Sequence, residues 1–172
     1  METVEIKPCS TADVEALQKI GRQTFEETFT AYNTAANMQQ YLKEGFSSEK
    51  LLNEINDPGA KFYLAVMDKE VVGYLKINSG NSQTEMKDSK ALEIERIYVL
   101  AQYHGLKVGQ LLYEKALQIA IDKGVKYIWL GVWEENPRAI RFYTKNGFTE
   151  FDKHIFKLGT DEQIDIMMRK EI

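Results

Sequence analysis

The alternation of hydrophobic and polar residues divides the chain into segments typical of strands and segments typical of helices. A period of about two residues predicts strands, which cover 4–6, 62–67, 71–77, 91–100, 127–133, 150–158 and 164–170. Apolar residues three or four positions apart predict amphipathic helices, which cover a segment beginning at Ser10 and the segments 34–44, 48–55, 108–123 and 137–145. The polar segment 78–89 is predicted to be a mobile surface loop.

Local signals mark where the last of these helices begins and ends. Asn136 can cap its first turn through a side-chain oxygen, and Pro137 occupies the first helical position, where a missing N–H costs nothing. Asn146-Gly147 ends the helix, because glycine readily adopts the left-handed conformation found there. Asn136 and Tyr143 are about two turns apart, so both lie on one face of this helix.

The order of the elements predicts a sheet with both parallel and antiparallel strands. Strand 91–100, helix 108–123 and strand 127–133 form a β–α–β unit, and a right-handed crossover makes its two strands parallel. Short connections such as 68–70 predict antiparallel hairpins. We therefore expect an α/β domain with a mixed sheet and helices on its faces, rather than a doubly wound sheet, formed by residues 1–172 as a single domain.

Composition and charge narrow the classes of function. The 172 residues are 44% hydrophobic and 28% charged, which is ordinary for a globular protein. The net charge of −4 argues against a nucleic-acid partner, since phosphate binding needs a basic surface. Because Cys9 is the only cysteine and His104 and His154 are the only histidines, we expect neither a disulfide nor a metal site. With no signal-peptide pattern and no apolar stretch of about 20 residues, we expect a cytoplasmic protein without a membrane partner.

The segment 103–110, Tyr-His-Gly-Leu-Lys-Val-Gly-Gln, leads from a strand into the long helix. Successive backbone N–H groups at a helix N-terminus form an anion site, for which a pyrophosphate is a natural ligand. The segment is neither a Walker loop nor the dinucleotide-binding fingerprint, since both need more glycines at other positions. A plain connection between a strand and a helix is the alternative.

Three segments together resemble the GNAT superfamily of acetyl-CoA-dependent N-acetyltransferases. They are 92–99 (Leu-Glu-Ile-Glu-Arg-Ile-Tyr-Val), the loop to Gly109, and 128–148, which begins Ile-Trp-Leu-Gly-Val-Trp-Glu and ends at Phe148. Residues 95–99 and 129–133 are similar in particular to PaiA-type bacterial spermidine/spermine acetyltransferases. The resemblance implies the GNAT fold, a mostly antiparallel sheet in which one parallel pair of strands splays apart, and an acetyl-CoA-binding core at 91–148.

The resemblance also implies where acetyl-CoA binds. Its pantetheine arm would lie between the splayed strands and pair with backbone groups of Ile97 and Val99. The expected cofactor-binding residues are Ile97, Tyr98, Val99, His104, Gly105, Leu106, Lys107, Val108, Gly109, Gln110, Asn136, Arg138, Tyr143 and Lys145. For Arg138 and Lys145, solvated charge on a helix surface is the alternative.

The loop from His104 to Gly109 corresponds to the pyrophosphate loop of the family, whose usual form is Arg/Gln-x-x-Gly-x-Gly. His104 stands where Arg or Gln is usual, and Lys107 replaces the first glycine. A glycine there lets the backbone approach the phosphates without a side chain. Lys107 can still offer its N–H, and its ammonium group can reach a phosphate or point into solvent.

Two residues are expected to take part in the chemistry. Tyr143 matches the proposed general acid of the family and would protonate the leaving sulfur; a core tyrosine beside Phe142 is the alternative. Glu95 matches the carboxylate proposed as base in polyamine acetyltransferases, with an ion pair to Arg96 or a lysine as the alternative. A regular strand would direct Glu95 to the same side as the cofactor-pairing residues, whereas a bulge would change its direction.

The acceptor would bind on the side covered by the helices of 10–59. The expected substrate-binding residues are Glu26, Glu27, Tyr32, Glu93 and Glu95. Carboxylates and an aromatic ring can hold an ammonium group by charge and by cation–π contact. A solvated helix face is the alternative for the first three. Glu85 and Asp88 in the loop 78–89 are further candidates, with simple exposure of the loop as the favoured alternative.

The resemblance implies acetyl transfer to a small primary amine, foremost a polyamine, by direct transfer in a ternary complex without a metal. The alternatives are a GNAT enzyme acting on a protein N-terminus, a lysine or another small amine, and a non-catalytic acetyl-CoA-binding regulatory protein. Gly131 argues against the branch that acetylates ribosomal proteins, which often has a glutamate at this position. Assembly as a homodimer stays open.

Overall fold

The computed structural model describes residues 3–172, and its seven strands form one sheet. The strands are β1 (Val4–Pro8), β2 (Ala60–Met67), β3 (Glu70–Ser79), β4 (Ala91–Val99), β5 (Tyr127–Trp133), β6 (Thr149–Leu158) and β7 (Asp161–Glu171). Their order across the sheet is β1-β2-β3-β4-β5-β7-β6. β4 and β5 run parallel, and the other neighbours run antiparallel. This confirms the predicted mixed sheet with one parallel pair.

In the described part of the chain, five α-helices cover the two faces of the sheet. They are α1 (Val14–Phe29), α2 (Ala35–Gly45), α3 (Ser48–Asn56), α4 (Val108–Lys123) and α5 (Pro137–Lys145). The predicted bounds of α4, α5 and β5 agree with the structure. The first helix differs, because the residues after Ser10 form a 3-10 turn at Thr11–Asp13 before the α-helix begins. In this turn the backbone N–H of Ser10 donates to Asp13 Oδ2 at 2.9 Å, as in a capping box.

Side-chain caps set the first residue of three later helices. Thr34 Oγ1 accepts a hydrogen bond from a backbone N–H of α2 at 3.1 Å, and Ser47 Oγ accepts one from α3 at 3.2 Å. Asn136 Oδ1 accepts one from the N–H of Ala139 at 3.2 Å. Each cap satisfies an N–H that has no partner inside its helix, so the short polar residues fix where these helices start.

Two hydrophobic cores lie on opposite faces of the sheet. Leu75 and Ile77 of β3 belong to the core beneath α4, whereas Tyr74 of the same strand belongs to the core beneath α1, α2 and α3. Alternate residues of a strand point to opposite faces, so the sheet separates the helix of the predicted cofactor site from the helices of the predicted acceptor site.

The segment 78–89 is anchored rather than simply exposed. Asn78 is buried in β3, and the side chain of Gln83 is only 1% exposed. Gln83 Oε1 accepts a hydrogen bond from Trp129 Nε1 at 2.7 Å, and the N–H of Thr84 donates to Glu93 at 2.8 Å. Other residues of the segment, among them Asn81, Thr84 and Lys87, are exposed. The segment is therefore a surface loop that polar side chains tie to buried groups of the sheet, and its mobility stays a prediction.

Within residues 3–172, no helix is long and apolar enough to cross a membrane. The same part of the chain has no group of three or more His, Cys, Asp or Glu side chains arranged to hold a metal ion. The cytoplasmic location, the single-domain organisation and the homodimer stay predictions.

Candidate active site

A cleft opens where the parallel strands β4 and β5 separate. They pair only from Ala91 with Tyr127 to Ile94 with Leu130, although β4 continues to Val99 and β5 to Trp133. The cavity at this position has a volume of about 1350 Å³. Ordinary small-molecule pockets measure roughly 300–1,000 Å³, so the cleft has room for an extended molecule together with a second, smaller one.

Backbone groups of β4 face this cleft. The N–H of Leu100 donates to the carbonyl of Val72 in β3 at 2.9 Å. Opposite residues in antiparallel strands alternate between pairs that exchange hydrogen bonds and pairs that do not. Counting back from Leu100, Tyr98 bonds to β3, whereas Val99 and Ile97 direct their N–H and C=O groups away from it. The groups predicted to pair with a pantetheine arm therefore point into the cleft.

A β-bulge redirects the side chain of Glu95. The register between β3 and β4 shifts at this residue, which has no partner opposite it. Its carboxylate lies on the face covered by α1, α2 and α3, where Lys76 Nζ and Asn78 Nδ2 each donate to it at 3.0 Å. The side chains of Ile97 and Val99 pack on the opposite, α4 face. The direction expected for a regular strand is wrong, and the bulge alternative describes the structure.

The loop between β4 and α4 keeps the shape of an anion site despite its lysine. Lys107 has φ of 65° and Gly105 has φ of 84°, so the lysine adopts the left-handed conformation that a glycine normally supplies. α4 begins at the next residue, Val108, and the N–H groups of its first turn are available to an anion. Lys107 borders the cavity, but Leu106 is half exposed and lies outside its lining.

His104 connects β4 to α5 at the mouth of the cleft. Its Nε2 lies 2.8 Å from the carbonyl oxygen of Val99, and its Nδ1 contacts the guanidinium of Arg138. Nearby, the side-chain amides of Gln110 and Asn146 exchange two hydrogen bonds at 3.0 and 3.2 Å. The side chain of Gln110 therefore holds α4 against α5, which fixes the distance between two walls of the cleft.

Tyr143 is a core residue that also borders the cavity. Its ring packs edge to face against Phe142 and Phe148, with centroids 5.3 and 5.7 Å apart, and the residue is 6% exposed. Burial raises the pKa of Tyr143 well above its ordinary value. The hydroxyl therefore stays protonated at neutral pH, as a proton donor must. Asn136 and Lys145, which flank Tyr143 on α5, also border the cavity.

Glu95 belongs to a buried network of two acids and two bases. Its carboxylate lies 3.0 Å from both Lys76 Nζ and an Arg96 nitrogen, and Glu54 contacts the same two cations at 3.7 and 3.2 Å. Burial acts to raise the pKa of Glu95, but the charges of Arg96 and Lys76 and the hydrogen bond from Asn78 outweigh it, so the pKa is lowered. The ion-pair alternative is what the structure shows, and the carboxylate is held in its charged form.

The predicted substrate-binding residues occupy different surroundings. Glu27 borders the cavity, and its carboxylate accepts a hydrogen bond from the N–H of Ala101 at 2.7 Å. Tyr32 is 59% exposed and packs edge to face on Trp133, with centroids 5.0 Å apart. Glu26 is exposed and lies outside the cavity lining, so the structure does not bring it to the site.

Glu93 lies at the floor of the cavity. It is buried, and it accepts hydrogen bonds from Asn78 Nδ2 at 2.9 Å and from the N–H of Thr84 at 2.8 Å. Burial raises its pKa, although these hydrogen bonds act against the shift. The residue anchors the segment 78–89 beneath the acceptor side of the cleft.

Two ionisable residues of the cavity were missed by the sequence analysis. Asp165 lies on β7 opposite His154 of β6, and both border the cavity together with Glu85. Glu85 Oε1 lies 3.5 Å from His154 Nε2. The sequence around Asp165 is an acid between two isoleucines in an alternating strand, a pattern that a solvent-facing residue gives equally. Only strand pairing shows that this position faces the cleft.

Together these features define a class of protein. Along one wall of a long cleft, backbone groups of Ile97 and Val99 bond to neither neighbouring strand, although the carbonyl of Val99 contacts His104 Nε2. Such a wall, with an anion-binding helix start at one end, fits an extended, phosphate-bearing acyl carrier. Residues 17–148 match the Acetyltransferase (GNAT) family, and the chain belongs to that family. It is accordingly an acetyl-CoA-dependent N-acetyltransferase.

Three known proteins show how far the similarity extends. The chain is 37% identical over its whole length to a protein of Lactobacillus delbrueckii subsp. lactis described as an uncharacterized N-acetyltransferase in the pepI 3′ region, of which it covers 99%. It is 29% identical to the spermidine N(1)-acetyltransferase of Thermoplasma acidophilum, over 85% of this chain and 88% of that protein. The crystal structure of PaiA N-acetyltransferase from Thermoplasma acidophilum in complex with coenzyme A has a TM-score of 0.81, with 26% identity and 99% coverage of both chains.

Proposed function

We propose that the enzyme transfers the acetyl group of acetyl-CoA directly to a primary amine of a polyamine in a ternary complex. The charge of the acceptor side of the cleft carries this proposal. Beyond the ion-paired Glu95, six carboxylates border the cavity. Glu114 of α4 and Glu135 just before α5 belong to the cofactor side, and the acceptor side has Glu27, Glu85, Glu93 and Asp165. Lys76 and Arg96, the cations beside Glu95, are already neutralised by Glu54 and Glu95. A substrate with several ammonium groups suits such a surface.

Aromatic rings on the same side support a substrate with methylene spacers between its charges. Tyr32, Trp133 and Phe156 border the cavity beneath α1 and α2. Their faces can pack against methylene groups and attract ammonium groups by cation–π contact. The similarity to the spermidine N(1)-acetyltransferase of Thermoplasma acidophilum supports the same class of substrate.

The chain's own residues supply binding and proton transfer. The loop 104–109 and the start of α4 would hold the phosphates, and the backbone of Ile97 and Val99 would align the arm. Acetyl-CoA supplies the thioester. Tyr143 carries the hydroxyl proton that the departing sulfur needs, and because burial raises its pKa it releases that proton only to the strongly basic sulfur formed as the carbon–sulfur bond breaks.

Glu95 keeps a place in this proposal as a carboxylate beside the acceptor. A group with a lowered pKa accepts a proton from an amine poorly. Its contribution is therefore electrostatic: it neutralises Lys76 and Arg96, whose unpaired charges would repel a cationic substrate.

The test measures thiol release from acetyl-CoA with a panel of amines. Spermidine and spermine are compared with propylamine, free lysine and a peptide with a free N-terminus. We expect kcat/KM to rise with the number of ammonium groups, because more of them meet carboxylates. If no polyamine supports thiol release, the substrate proposal fails and the family assignment stands. Faster turnover of the peptide or of lysine would reassign the acceptor, and tight acetyl-CoA binding without turnover on any amine would favour a regulatory protein.

A further inference from the structure

The Asp165 carboxylate lies at the apex of the cleft, where β4 and β5 separate. Asp165 is opposite Trp133 in the β5–β7 pair, and a methyl group added to Gly131 would stand 3.4 Å from its Oδ2. Gly131 is the first residue of β5 after the last pair with β4, which joins Leu130 to Ile94. Because Gly131 has no side chain, the carboxylate borders the apex directly.

The direction of the cleft brings the reacting end of the acyl carrier toward this apex. The phosphate loop 104–109 follows the far end of β4, after Val99. An arm that pairs first with Val99 and then with Ile97 therefore runs from the loop toward Glu95, at the start of the separation. Its thioester would then lie near the start of this separation, which the carboxylates of Glu95 and Asp165 border.

The Asp165 carboxylate has few polar partners of its own. Among residues 3–172, its oxygens accept no hydrogen bond and form no ion pair with a lysine or arginine. The ionisable groups that face it are His154 of β6, Glu85 of the segment 78–89, and the hydroxyls of Tyr41 and Tyr98. Burial raises the pKa of Asp165 to about 6, while the charge of His154 acts to lower it and that of Glu85 to raise it.

The other carboxylates at the apex are committed to partners. Lys76 and Arg96 hold Glu95 in its charged form at 3.0 Å, and Glu93 accepts three hydrogen bonds beneath the cavity. A general base works best when its pKa lies near the operating pH. Of the three carboxylates, Asp165 is the one whose pKa lies near neutral pH and whose oxygens border the apex.

We infer that Asp165 is the catalytic residue that takes the proton of the acceptor amine, an inference that rests on the proposed amine acetylation. The ammonium group gives one proton to Asp165, and the freed electron pair of its nitrogen forms a bond to the thioester carbonyl carbon. As the carbon–sulfur bond breaks, the sulfur takes the hydroxyl proton of Tyr143. The second amine proton returns to Tyr143 through water, and the proton on Asp165 passes to solvent. The balance is one proton released for each acetyl group transferred.

The pH dependence of kcat/KM for spermidine in Asp165→Asn tests this inference. In the unaltered enzyme kcat/KM falls below about pH 6, because Asp165 then carries a proton and cannot accept another. The variant loses this acidic limb, and its kcat/KM at pH 7 falls by about 10²–10⁴-fold, the usual contribution of a general base. The difference in kcat/KM between Asp165→Asn and the unaltered enzyme shrinks as the pH approaches about 10, because the free amine is then already deprotonated in solution.

Two further variants distinguish proton transfer to Asp165 from the general effect of removing an ionisable side chain. Glu162→Gln removes an exposed carboxylate of the same strand and is expected to leave the profile unchanged. His154 lies opposite Asp165 in the β6–β7 pair, so His154→Gln is measured as well and is expected to keep the acidic limb. Calorimetry measures the affinity of Asp165→Asn for acetyl-CoA. An affinity equal to that of the unaltered enzyme shows that the variant is folded.

Each outcome bears on the inference. A profile for Asp165→Asn that runs parallel to that of the unaltered enzyme at every pH overturns it and leaves the polyamine activity intact. Loss of the acidic limb in His154→Gln overturns it too. No thiol release by the unaltered enzyme with any amine overturns the proposed function and the inference together. If Asp165→Asn does not fold, Asp165→Glu decides: a retained acidic limb supports the inference, and a lost limb overturns it.

Discussion

Replacing Glu95 by glutamine removes one charge from the buried network beneath the acceptor side. The side chains of Glu54, Lys76, Glu95 and Arg96 are at most 17% exposed, and their two negative and two positive charges balance. Glutamine keeps the shape of Glu95 but leaves an excess positive charge away from water. We therefore expect Glu95→Gln to destabilise the fold as well as to weaken binding of a cationic acceptor.

The structure sets the size of this effect. Removing one partner of a buried ion pair costs about 3–5 kcal/mol, because the remaining charge is left without compensation. Glu54 still contacts Arg96 at 3.2 Å and Lys76 at 3.7 Å, so we expect the lower end, about 3 kcal/mol. For a chain of this size each kcal/mol shifts Tm by roughly 2–4 °C, which gives a fall of about 6–12 °C.

Urea unfolding followed by the fluorescence of Trp129 and Trp133 measures the change in free energy of unfolding, and thermal unfolding measures Tm. Glu49→Gln, an exposed acid of α3, is the matched control and should change neither. Glu95→Gln combined with Lys76→Met restores the charge balance and should be less destabilised than Glu95→Gln alone. The reasoning is refuted if Glu95→Gln lowers the free energy of unfolding by less than about 1 kcal/mol, the range of an exposed ion pair. It is also refuted if the double variant is less stable than Glu95→Gln alone.

The same network makes a prediction about pH. The pKa of Glu95 is lowered from 4.5 in the folded protein. A carboxylate with a lowered pKa stabilises the fold fully above its ordinary pKa, and this contribution is lost as the pH falls toward the folded value. The difference in stability between the unaltered protein and Glu95→Gln should therefore be constant at neutral pH and shrink below about pH 4.5. A difference that grows on acidification would contradict it.

Three further substitutions test other parts of the site. Tyr143→Phe should lower kcat by about 10²-fold or more without changing acetyl-CoA affinity measured by calorimetry; unchanged turnover would remove Tyr143 from the mechanism. Lys107→Gly should relieve the strain of a left-handed lysine, at the cost of the larger backbone entropy of glycine in the unfolded chain. The free energy of unfolding should rise by about 0.5–1 kcal/mol, measured as a higher Tm. Lys107→Ala is the control and should show no such rise. Trp129→Phe removes the donor to the buried Gln83, so it should lower the free energy of unfolding by about 1–3 kcal/mol in urea; no loss would show that Gln83 finds another donor.

Much of the fold follows from local signals that the chain carries itself. The bounds of α5 were predictable from the cap Asn136 and the following Pro137, and from Asn146-Gly147 at its end. Gly124 marks the end of α4, and a change of hydrophobic period separates α4 from β5. The burial of Gln83 within the surface segment 78–89 could not be predicted, because its side chain accepts a hydrogen bond from the indole of a residue 46 positions away. The sequence shows that a side chain is polar, but it does not show whether that side chain forms its hydrogen bonds with water or with a buried group.

The sequence by itself determined the elements, the parallel crossover and the resemblance that points to acetyl-CoA and to Tyr143. Only the tertiary structure decided the direction of Glu95, because a bulge depends on the register with β3. It also decided that Glu26 lies outside the cleft and that Asp165 lies inside it. Local periodicity is set by neighbours along the chain, whereas the surroundings of a carboxylate are set by strands and helices that are distant in sequence. For that reason the cofactor wall of this enzyme could be anticipated from its sequence, and the acceptor wall could not.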